Sequence, residues 1–472
     1  MIRLGIGRVS SGRLATRLLA AFVGSVAVQV GVIDVAPASD STSFVLQPRI
    51  VNGHATAAYP TTGALLFYDD AAATNLAGSC SGTLIGCRTF LTAAHCVCPD
   101  DTDAAAGCER EGHTDPATMR VFLQQGGVFP VVGTVISPDY RFAESGDVAI
   151  VTLAEPVTGI APSAINMARR ADLGATGTIV GFGTTASGRR STDDSGIKRE
   201  GMVTTAQCAA DITDAAHLCW SFLGGGSNSC DGDSGGPLFI DFGDGPVVAG
   251  VTSGGHSFDC LAPDTGFDSD TFVNRSWIIA AAGTDLGTAS CGLPAVGTAS
   301  TTEFTTVGQL DSTAPEARLQ LEVPAAATVL RIAMNGQFAS TSGFYPNDYD
   351  LFVRAGSAPT VDRFDCADTN ATTFGFCQIN SPEPGTWHVM VRLNQGAGAF
   401  QVTATTFAPP QCAGDCDGDG GVSGNELLTG LTLALGTHAA SCPSCDANGD
   451  GVVSVGELIK AVDVARTGCP AG

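Results

Sequence analysis

The sequence predicts a mainly β protein with several domains. The chain has 472 residues, which corresponds to two to four domains. It contains 60 glycines and 23 prolines but only 7% aromatic residues, and apolar and polar residues alternate through several short runs. Glycine- and proline-rich turns between short strands favour antiparallel barrels and sandwiches over long helices.

Charge and cysteine content limit the compartment and the partners. The formal net charge is −24, and such an acidic surface repels nucleic acids and anionic membranes. We therefore expect no nucleic-acid partner. The chain has 17 cysteines, a number typical of disulfide-bonded secreted proteins rather than of a reduced cytosol. Because 17 is odd, at least one cysteine is free, removed by processing or paired between molecules.

Residues 1–38 have the pattern of a signal peptide. Four arginines precede an uncharged apolar run over residues 18–33, and Ala36-Pro37-Ala38 forms a small-residue cleavage site. We expect a secreted chain that begins near Ser39, with periplasmic or cell-surface retention as alternatives to release. An uncleaved membrane anchor is the other alternative, but sixteen apolar residues are short for a membrane span.

Three motifs in chain order indicate an activated serine nucleophile. Ser234 lies in the glycine-rich turn Gly232-Asp233-Ser234-Gly235-Gly236-Pro237, His95 in an apolar run, and Asp147 at the start of a strand-like run. A serine hydroxyl is a weak nucleophile unless a base takes its proton and a third group orients that base. The order His, Asp, Ser resembles that of the trypsin/chymotrypsin-like serine protease family. The resemblance covers residues 50–282.

This resemblance implies both a fold and an activity. The fold is a pair of six-stranded antiparallel barrels of chymotrypsin type, with the active site between them. The activity is hydrolysis of peptide bonds in polypeptide substrates. His95 is then the general base, Asp147 orients it, and the N–H groups of Gly232 and Ser234 form the oxyanion hole. No cofactor is implied for catalysis.

The family also implies activation by cleavage. Arg49 precedes Ile50-Val51-Asn52-Gly53, which matches the family's new N-terminus, so residues 39–49 are interpreted as a propeptide. An activating protease that cuts after Arg49 would free the α-ammonium of Ile50. That cation is expected to pair with the buried carboxylate of Asp233, which would be costly to bury alone.

The substrate pocket departs from the tryptic pattern. By the resemblance, Asn228 lies at the pocket floor, where trypsin-like members have aspartate, and Ser253, Gly255 and Gly266 line the pocket. An uncharged amide predicts a preference for large hydrogen-bonding or aromatic side chains, with weak cleavage after Arg or Lys. In the alternative, a neighbouring acid such as Asp231 or Asp268 supplies the missing charge.

The cysteines are only partly assigned. The family resemblance implies the disulfides Cys80–Cys96, Cys208–Cys219 and Cys230–Cys260. Cys98 and Cys108 flank one loop and are candidates to close it, while Cys87 and Cys291 receive no assignment, since sequence does not determine connectivity.

A second domain is expected after the protease domain. Residues 283–302 are rich in small and turn-forming residues and are interpreted as a linker. Period-2 alternation then runs through residues 303–408 and predicts a β-sandwich. Its Asn347-Asp348-Tyr349-Asp350 run, a later Pro-Gly-Thr-Trp turn and the pair Cys366–Cys377 resemble the bacterial pre-peptidase C-terminal domain. Asp348 and Asp350 are candidates for a cation site or, more simply, a solvated strand edge.

The C-terminal residues 411–472 contain one acidic loop pattern twice. Glycine at the sixth position and glutamate at the twelfth give the spacing of EF-hand loops, which dockerin-type repeats share, so we expect two structural Ca²⁺ sites with a short helix after each. The expected ligands are Asp415, Asp417, Asp419, Gly421, Ser423 and Glu426 in the first loop, and Asp446, Asn448, Asp450, Val452, Ser454 and Glu457 in the second. The Cys442–Cys445 spacing also suits zinc, but an oxidising compartment favours disulfides.

Two other classes of function stay open beside the secreted endopeptidase. One is a protease-shaped binding protein with weak or no catalysis, which the presence of all three motif residues disfavours. The other is an assembly protein, in which the C-terminal loop pair docks to a protein partner in the presence of calcium and carries the protease as cargo.

Overall fold

The computed structural model describes thirteen stretches of the chain: 50–73, 75–98, 104–186, 194–257, 259–287, 291, 300–325, 327–338, 346–407, 412–416, 421–436, 442–446 and 453–469. These residues belong to one compact unit. The predicted signal peptide (1–38) and propeptide (39–49) lie outside them. Within these stretches, no helix is long and apolar enough to cross a membrane.

The first barrel closes around an apolar core. Its strands are antiparallel and lie in the order β2-β3-β4-β7-β6-β5. Phe90, Leu91 and Val121 are fully buried in it. A short helix, α1 (Ala105–Glu111), lies between the third and fourth strands of this barrel in chain order. The strands are β2 (Thr62–Tyr68), β3 (Leu76–Leu84), β4 (Thr89–Thr92), β5 (Met119–Leu123), β6 (Gly127–Ile136) and β7 (Ala149–Leu153).

The second barrel closes in the same way, with the strand order β9-β10-β13-β12-β11-β8 completed by pairing of β8 with β9. Strand β1 (His54–Ala55) adds to the edge of β9. These two closed barrels confirm the predicted pair of six-stranded antiparallel barrels. The strands are β8 (Thr176–Gly181), β9 (Arg199–Ala206), β10 (His217–Phe222), β11 (Pro237–Asp241), β12 (Pro246–Gly255) and β13 (Asp264–Asp270).

A helix follows the second barrel directly. Helix α2 (Thr271–Ala282) begins where the Asp270 carboxylate accepts hydrogen bonds from the N–H groups of Phe272 and Val273. Such N-capping satisfies donors that have no partner within the first turn.

The next eight strands form two four-stranded sheets around one core, as expected for a sandwich. One sheet has the order β14-β21-β16-β19 and the other β15-β20-β17-β18. Leu330, Leu351 and Val391 come from different strands and are fully buried in that core. The strands are β14 (Ser300–Leu310), β15 (Glu316–Val323), β16 (Val329–Gly336), β17 (Asp348–Ala355), β18 (Cys366–Asp368), β19 (Gly375–Asn380), β20 (Gly385–Gln395) and β21 (Gly398–Phe407).

The predicted linker is shorter than residues 283–302. Cys291 forms a disulfide with Cys87 of the first barrel, and the Asp285 carboxylate accepts hydrogen bonds from Arg88 N and Thr89 Oγ1. Strand β14 begins at Ser300. The first part of this stretch is therefore fastened to the first barrel, which small-residue composition alone does not reveal.

Two helices lie in the C-terminal segment: α3 (Gly424–Ala434) and α4 (Val455–Thr467). Each begins three residues before the apolar run from which it is predicted, at Leu427 and Leu458. The reason is a capping box: Ser423 and Ser454 each accept the N–H of the glutamate three residues on, whose carboxylate accepts the serine N–H in return.

Eight disulfides connect the described cysteines. Those expected from sequence are present as Cys80–Cys96, Cys208–Cys219, Cys230–Cys260 and Cys366–Cys377. The other four are Cys87–Cys291, Cys98–Cys108, Cys412–Cys469 and Cys416–Cys442. Cys445 is the free thiol; it is buried, and burial raises its pKa. The Cys442–Cys445 pair is thus neither a disulfide nor two free zinc ligands.

Candidate active site

A buried hydrogen-bond network connects the two barrels. The Asp147 carboxylate is fully buried, and its Oδ2 lies 2.8 Å from His95 Nδ1. Its Oδ1 accepts the backbone N–H of His95 at 3.0 Å. Ser253, from β12 of the second barrel, donates its hydroxyl to Asp147 Oδ2 at 2.5 Å. Three donors therefore hold one carboxylate and fix the imidazole ring against it.

Local structure explains why these groups meet. His95 lies in a 3₁₀ turn (Ala94–Cys96) just after β4, and Asp147 lies just before β7, which pairs with β4. The disulfide Cys80–Cys96 fastens that turn to β3. The ring of Phe142 meets the His95 ring edge-on at 5.6 Å between centroids.

The network sets the charge state of both partners. Burial alone disfavours the imidazolium, but the charge and hydrogen bond of Asp147 outweigh it, so the pKa of His95 is raised. Burial likewise opposes ionisation of Asp147, but the His95 charge and the hydrogen bonds from His95 and Ser253 lower its pKa. The aspartate is thus held as an anion beside a base.

The Ser234 turn lies on the other side of the same cleft. The cleft has a volume of about 350 Å³, and its lining includes His95, Phe142, Ser234, Gly255 and Ser257. Ser81 of the first barrel holds this turn through two hydrogen bonds. Its hydroxyl donates to Gly232 O at 2.8 Å, and its N–H donates to Ser234 O at 2.8 Å. Ser234 therefore faces the cleft on a turn that both barrels hold.

Asp233 points away from the cleft into the second barrel. It is 2% exposed, and its carboxylate accepts the N–H groups of Gly183 at 2.8 Å and Cys230 at 2.9 Å. Burial raises its pKa to about 7, although these hydrogen bonds and the charge of Arg199 oppose the shift. The side chain of Ile50 is 1% exposed in the core of the same barrel, while Arg49 lies outside the described residues.

Asn228, which the family resemblance places at the pocket floor, already has hydrogen-bond partners within the protein. Asn228 is fully buried; its oxygen accepts Trp220 Nε1 at 3.0 Å, and its nitrogen donates to Cys260 O at 3.1 Å and to Asp264 Oδ2 at 2.7 Å. The amide is satisfied inside the protein. One of its partners is the carboxylate of Asp264.

Asp264 lies behind the cleft lining, next to Gly255 and Ser257, and sequence reasoning did not point to it. Its Oδ1 accepts the N–H groups of Ser257 and Thr265, and it is 6% exposed. A Cβ atom placed on Gly255 would lie 2.9 Å from Asp264 Oδ2, so this carboxylate lies close behind Gly255, which lines the cleft. A carboxylate after Pro263 has no counterpart in the family pattern used above, so no sequence signal pointed to it.

The other predicted pocket residues have different positions. Ser253 lines the cleft, but its hydroxyl is bonded to Asp147. Gly266 faces the Trp220 indole, where a Cβ atom would lie 2.4 Å from the ring. Asp231 lines the cleft, whereas Asp268 is fully buried on β13 opposite Thr252.

The two C-terminal loops are described only at their ends. In the first loop, Glu426 accepts the N–H groups of Cys416 at 2.7 Å and Ser423 at 2.6 Å. In the second loop, Glu457 accepts the N–H of Ser454 at 2.8 Å. The predicted ligands Asp417, Asp419, Asn448, Asp450 and Val452 lie outside the described residues.

Comparison with known proteins matches two segments of the chain to known families. The trypsin family model matches residues 50–278, and that of the bacterial pre-peptidase C-terminal domain matches residues 316–393. The resemblances inferred from the motifs are thereby confirmed over these ranges. A solved structure of neuropsin, a serine protease of mouse brain, aligns with 49% of this chain and 99% of its own, at 22% identity and a TM-score of 0.38.

Two curated proteases are similar in sequence. Trypsin from Saccharopolyspora erythraea is 29% identical over 39% of this chain and 78% of its own length. Alkaline trypsin C from Manduca sexta is 32% identical over 49% of this chain and 90% of its own length. On this similarity and the family match, the chain belongs to the trypsin-like serine protease family.

Proposed function

We propose that the chain is a serine endopeptidase whose catalytic residues are His95, Asp147 and Ser234. The observation that carries the proposal is the buried Asp147–His95–Ser253 network beside Ser234, in one cleft between two barrels. This network keeps an anion behind the imidazole, which is what a base that must gain and then release a proton requires.

In the proposed mechanism, Ser234 Oγ attacks the carbonyl carbon of the scissile peptide while His95 Nε2 accepts the hydroxyl proton. The N–H groups of Gly232 and Ser234 stabilise the oxyanion of the tetrahedral intermediate. His95 then donates the proton to the leaving amine, and a water molecule releases the acyl group by the same steps. Asp147 keeps the imidazole oriented and stabilises its cation; one oxyanion donor is worth about 3 kcal/mol.

A nucleophile test decides the central claim. Processed enzyme should react with a fluorophosphonate at unit stoichiometry and cleave a peptide library, with the cleavage sites read by mass spectrometry. Ser234→Ala should abolish both reactions and keep the melting temperature. Ser257→Ala, in the same cleft, is the control that should still be labelled. Labelling of the Ser234→Ala protein would identify another nucleophile.

We further propose that the chain is made as a zymogen and is cut after Arg49. The buried carboxylate of Asp233 supports this, because its pKa of about 7 marks a site that a new cation would stabilise. Arg49→Gln should give a precursor with intact fold and little activity. Full activity without a new Ile50 N-terminus would reject the switch.

The proposed substrate class is polypeptides with Arg or Lys before the cut. This reverses the preference expected from Asn228 alone, because Asp264 supplies the charge that Asn228 lacks. A cation that enters past Gly255 meets a carboxylate already fixed by two backbone N–H groups, so little reorganisation is needed on binding.

Chromogenic substrates that differ only in the residue before the cut test this assignment. Arg and Lys substrates should be preferred, and Asp264→Asn should lower their kcat/KM by roughly a hundredfold while changing aromatic substrates little. The matched control is Asp231→Asn, which removes a charge from the same cleft. If aromatic substrates dominate in the unmodified enzyme, Asn228 sets specificity and Asp264 does not.

We also propose that residues 411–472 bind two structural Ca²⁺ ions, with the ligands named above from Asp415 to Glu426 and from Asp446 to Glu457. The donors present fit such ions, since they are oxygen atoms only. The backbone caps hold each glutamate at its loop end.

Calorimetry on the full-length Ser234→Ala protein tests this proposal. Two calcium ions should bind, Glu426→Gln and Glu457→Gln should each remove one, and calcium should raise the melting temperature by mass action. Binding of no calcium, or equal melting with chelator and with calcium, would refute the proposal.

We also propose that the chain is secreted and that its calcium loops bind a protein partner. The eight disulfides support an oxidising compartment. Docking to a partner through the calcium loops would appear as calcium-dependent capture by the full-length Ser234→Ala protein that Glu457→Gln abolishes.

A further inference from the structure

The sandwich packs against the protease barrels through buried neutral amides. Asn335 of β16 is fully buried and Gln401 of β21 is 1% exposed. Asn335 Nδ2 donates to Gln401 Oε1 at 3.1 Å, which links the two amides, and Asn335 Oδ1 accepts Gln124 Nε2 of the first barrel at 3.2 Å. Such a network is a positioning device, because every polar atom requires its partner in place.

These amides hold one protease segment, residues 194–199. Asn335 Nδ2 donates to Gly196 O at 2.7 Å, and Gln401 Oε1 accepts Lys198 N at 3.2 Å. Gly196 has φ of +101°, and a Cβ atom there would lie 2.0 Å from Gly336 O. The sandwich backbone therefore approaches this segment as closely as only glycine permits.

The same segment holds the carboxylate next to the nucleophile. Arg199 is fully buried; it donates to Asp194 O at 2.9 Å and to Gly183 O at 2.8 Å. Gly183 N in turn donates to Asp233 Oδ1 at 2.8 Å, and the Arg199 charge lowers the pKa of Asp233 against its burial. Asp233 precedes Ser234 directly.

We infer that the sandwich is an intramolecular activator of the protease, in which Asn335 and Gln401 are positioning residues for the Ser234 turn. They act through residues 194–199, Arg199 and Gly183 on Asp233. The inference rests on the proposed function of Ser234, and it assigns the sandwich a part in the reaction beyond its fold.

The two amides supply hydrogen-bond partners to buried backbone groups of residues 194–199. Without Asn335 and Gln401, the Gly196 carbonyl and the Lys198 N–H lose buried hydrogen bonds, and each unsatisfied group favours an arrangement exposed to water. Arg199 and Gly183 would move with the segment, which leaves Asp233 without one of its two backbone donors. If the Ser234 turn spends part of the time in this distorted state, the fraction of active enzyme falls in proportion.

Asn335→Ala in the full chain is the test, and Gln401→Ala repeats it on the second amide. Arg331→Met is the matched control. Arg331 also lies on β16, is 3% exposed, and donates across the same interface to Gln125 O and Thr158 O. Its hydrogen bonds within the described residues go neither to residues 194–199 nor to Asp233.

Two measurements distinguish an effect on the Ser234 turn from a general weakening of the packing between the sandwich and the barrels. In processed enzyme below its melting temperature, Asn335→Ala should lower kcat and the fluorophosphonate titre together by roughly tenfold with KM unchanged. Arg331→Met should keep both within about twofold while lowering the melting temperature. In the Ser234→Ala background, hydrogen exchange at the Gly183 and Cys230 amides should rise in Asn335→Ala and stay constant in Arg331→Met.

The outcomes are distinct. If the unmodified protein has no hydrolase activity, the proposed function is rejected. Hydrogen exchange at the Gly183 and Cys230 amides would still show whether the sandwich acts on the Ser234 turn. Unchanged kcat, titre and amide exchange in Asn335→Ala and Gln401→Ala would overturn the inference, as would equal losses in Arg331→Met.

Discussion

The two barrels bury carboxylates in opposite ways. In the first barrel, Asp147 is fully buried but ionised, because His95 and Ser253 lower its pKa. In the second barrel, burial raises the pKa of Asp233 to about 7 and that of Asp268 well above its usual value. Burial is similar in all three, so the partners and not the depth decide whether an aspartate carries charge.

Asp268 is the extreme of this comparison. Neither of its carboxylate oxygens has a hydrogen bond of ordinary geometry within the described residues. The hydroxyl of Thr252, across the strand pair, lowers the pKa but does not offset the burial. A buried acid without a donor or a cation is favoured in its neutral form.

The largest test removes the charge in the first barrel. Asp147→Asn should lower kcat/KM by roughly 10⁴-fold, because the imidazole loses its anion and its tautomer control. Circular dichroism and melting should stay close to those of the parent. Asp139→Asn, which removes an exposed charge from the same barrel, should have no effect on kcat/KM, and an equal loss in both variants would contradict the comparison.

The second test concerns Asp233 and pH. Its raised pKa means that stability in the uncleaved chain is fully present below about pH 4 and is lost as the pH rises through about 7. The loss should be on the order of 2–4 kcal/mol in the uncleaved Ser234→Ala protein. The same protein cut after Arg49 should lose much less, since Ile50 then supplies an ammonium. Parallel denaturation curves at pH 5 and 8 would refute this difference.

The third test weakens one donor to Asp147. Ser253→Ala removes the 2.5 Å hydrogen bond, so the pKa of Asp147 should rise and kcat/KM should fall roughly tenfold. Ser269→Ala is the control, because that buried hydroxyl has no partner within the described residues and its loss should leave the rate unchanged. A pH–rate profile measures both.

The smallest effect is expected from replacing Asp268, the buried acid of the second barrel to which we assign no role in catalysis. Asp268→Asn should raise stability at pH 8 by about 1 kcal/mol and leave it unchanged at pH 4, because the parent loses stability as the pH rises above the unfolded pKa. Activity should not change. Destabilisation at pH 8 would mean that Asp268 is ionised and has a partner.

Prediction from sequence succeeded where the signal is local. Short motifs predicted the two barrels through the family that they resemble, and strand alternation predicted the sandwich, because side-chain direction in a strand follows from adjacent residues. The positions of α3 and α4 were right, but each begins earlier than its apolar run, at a capping serine whose partner is only three residues away. The serine and the glutamate of each capping box are also the predicted calcium ligands at loop positions nine and twelve, so one local pattern serves both interpretations.

Contacts between distant residues were beyond such reasoning. Cys87 and Cys291 are separated by 204 positions, and Asn335 and Gly196 by 139. No local pattern couples such pairs.

The sequence by itself determined the motif residues Ser234, His95 and Asp147, because each belongs to a short run that resembles a motif of the trypsin-like family in the same chain order. Only the tertiary structure decided what those residues meet. Asn228 and Asp264 come together through the pairing of β12 and β13 and the Cys230–Cys260 loop, and so the Asn228 amide has a carboxylate as its partner. The physical reason is that burial, charge and hydrogen-bond partners depend on which distant strands pack together.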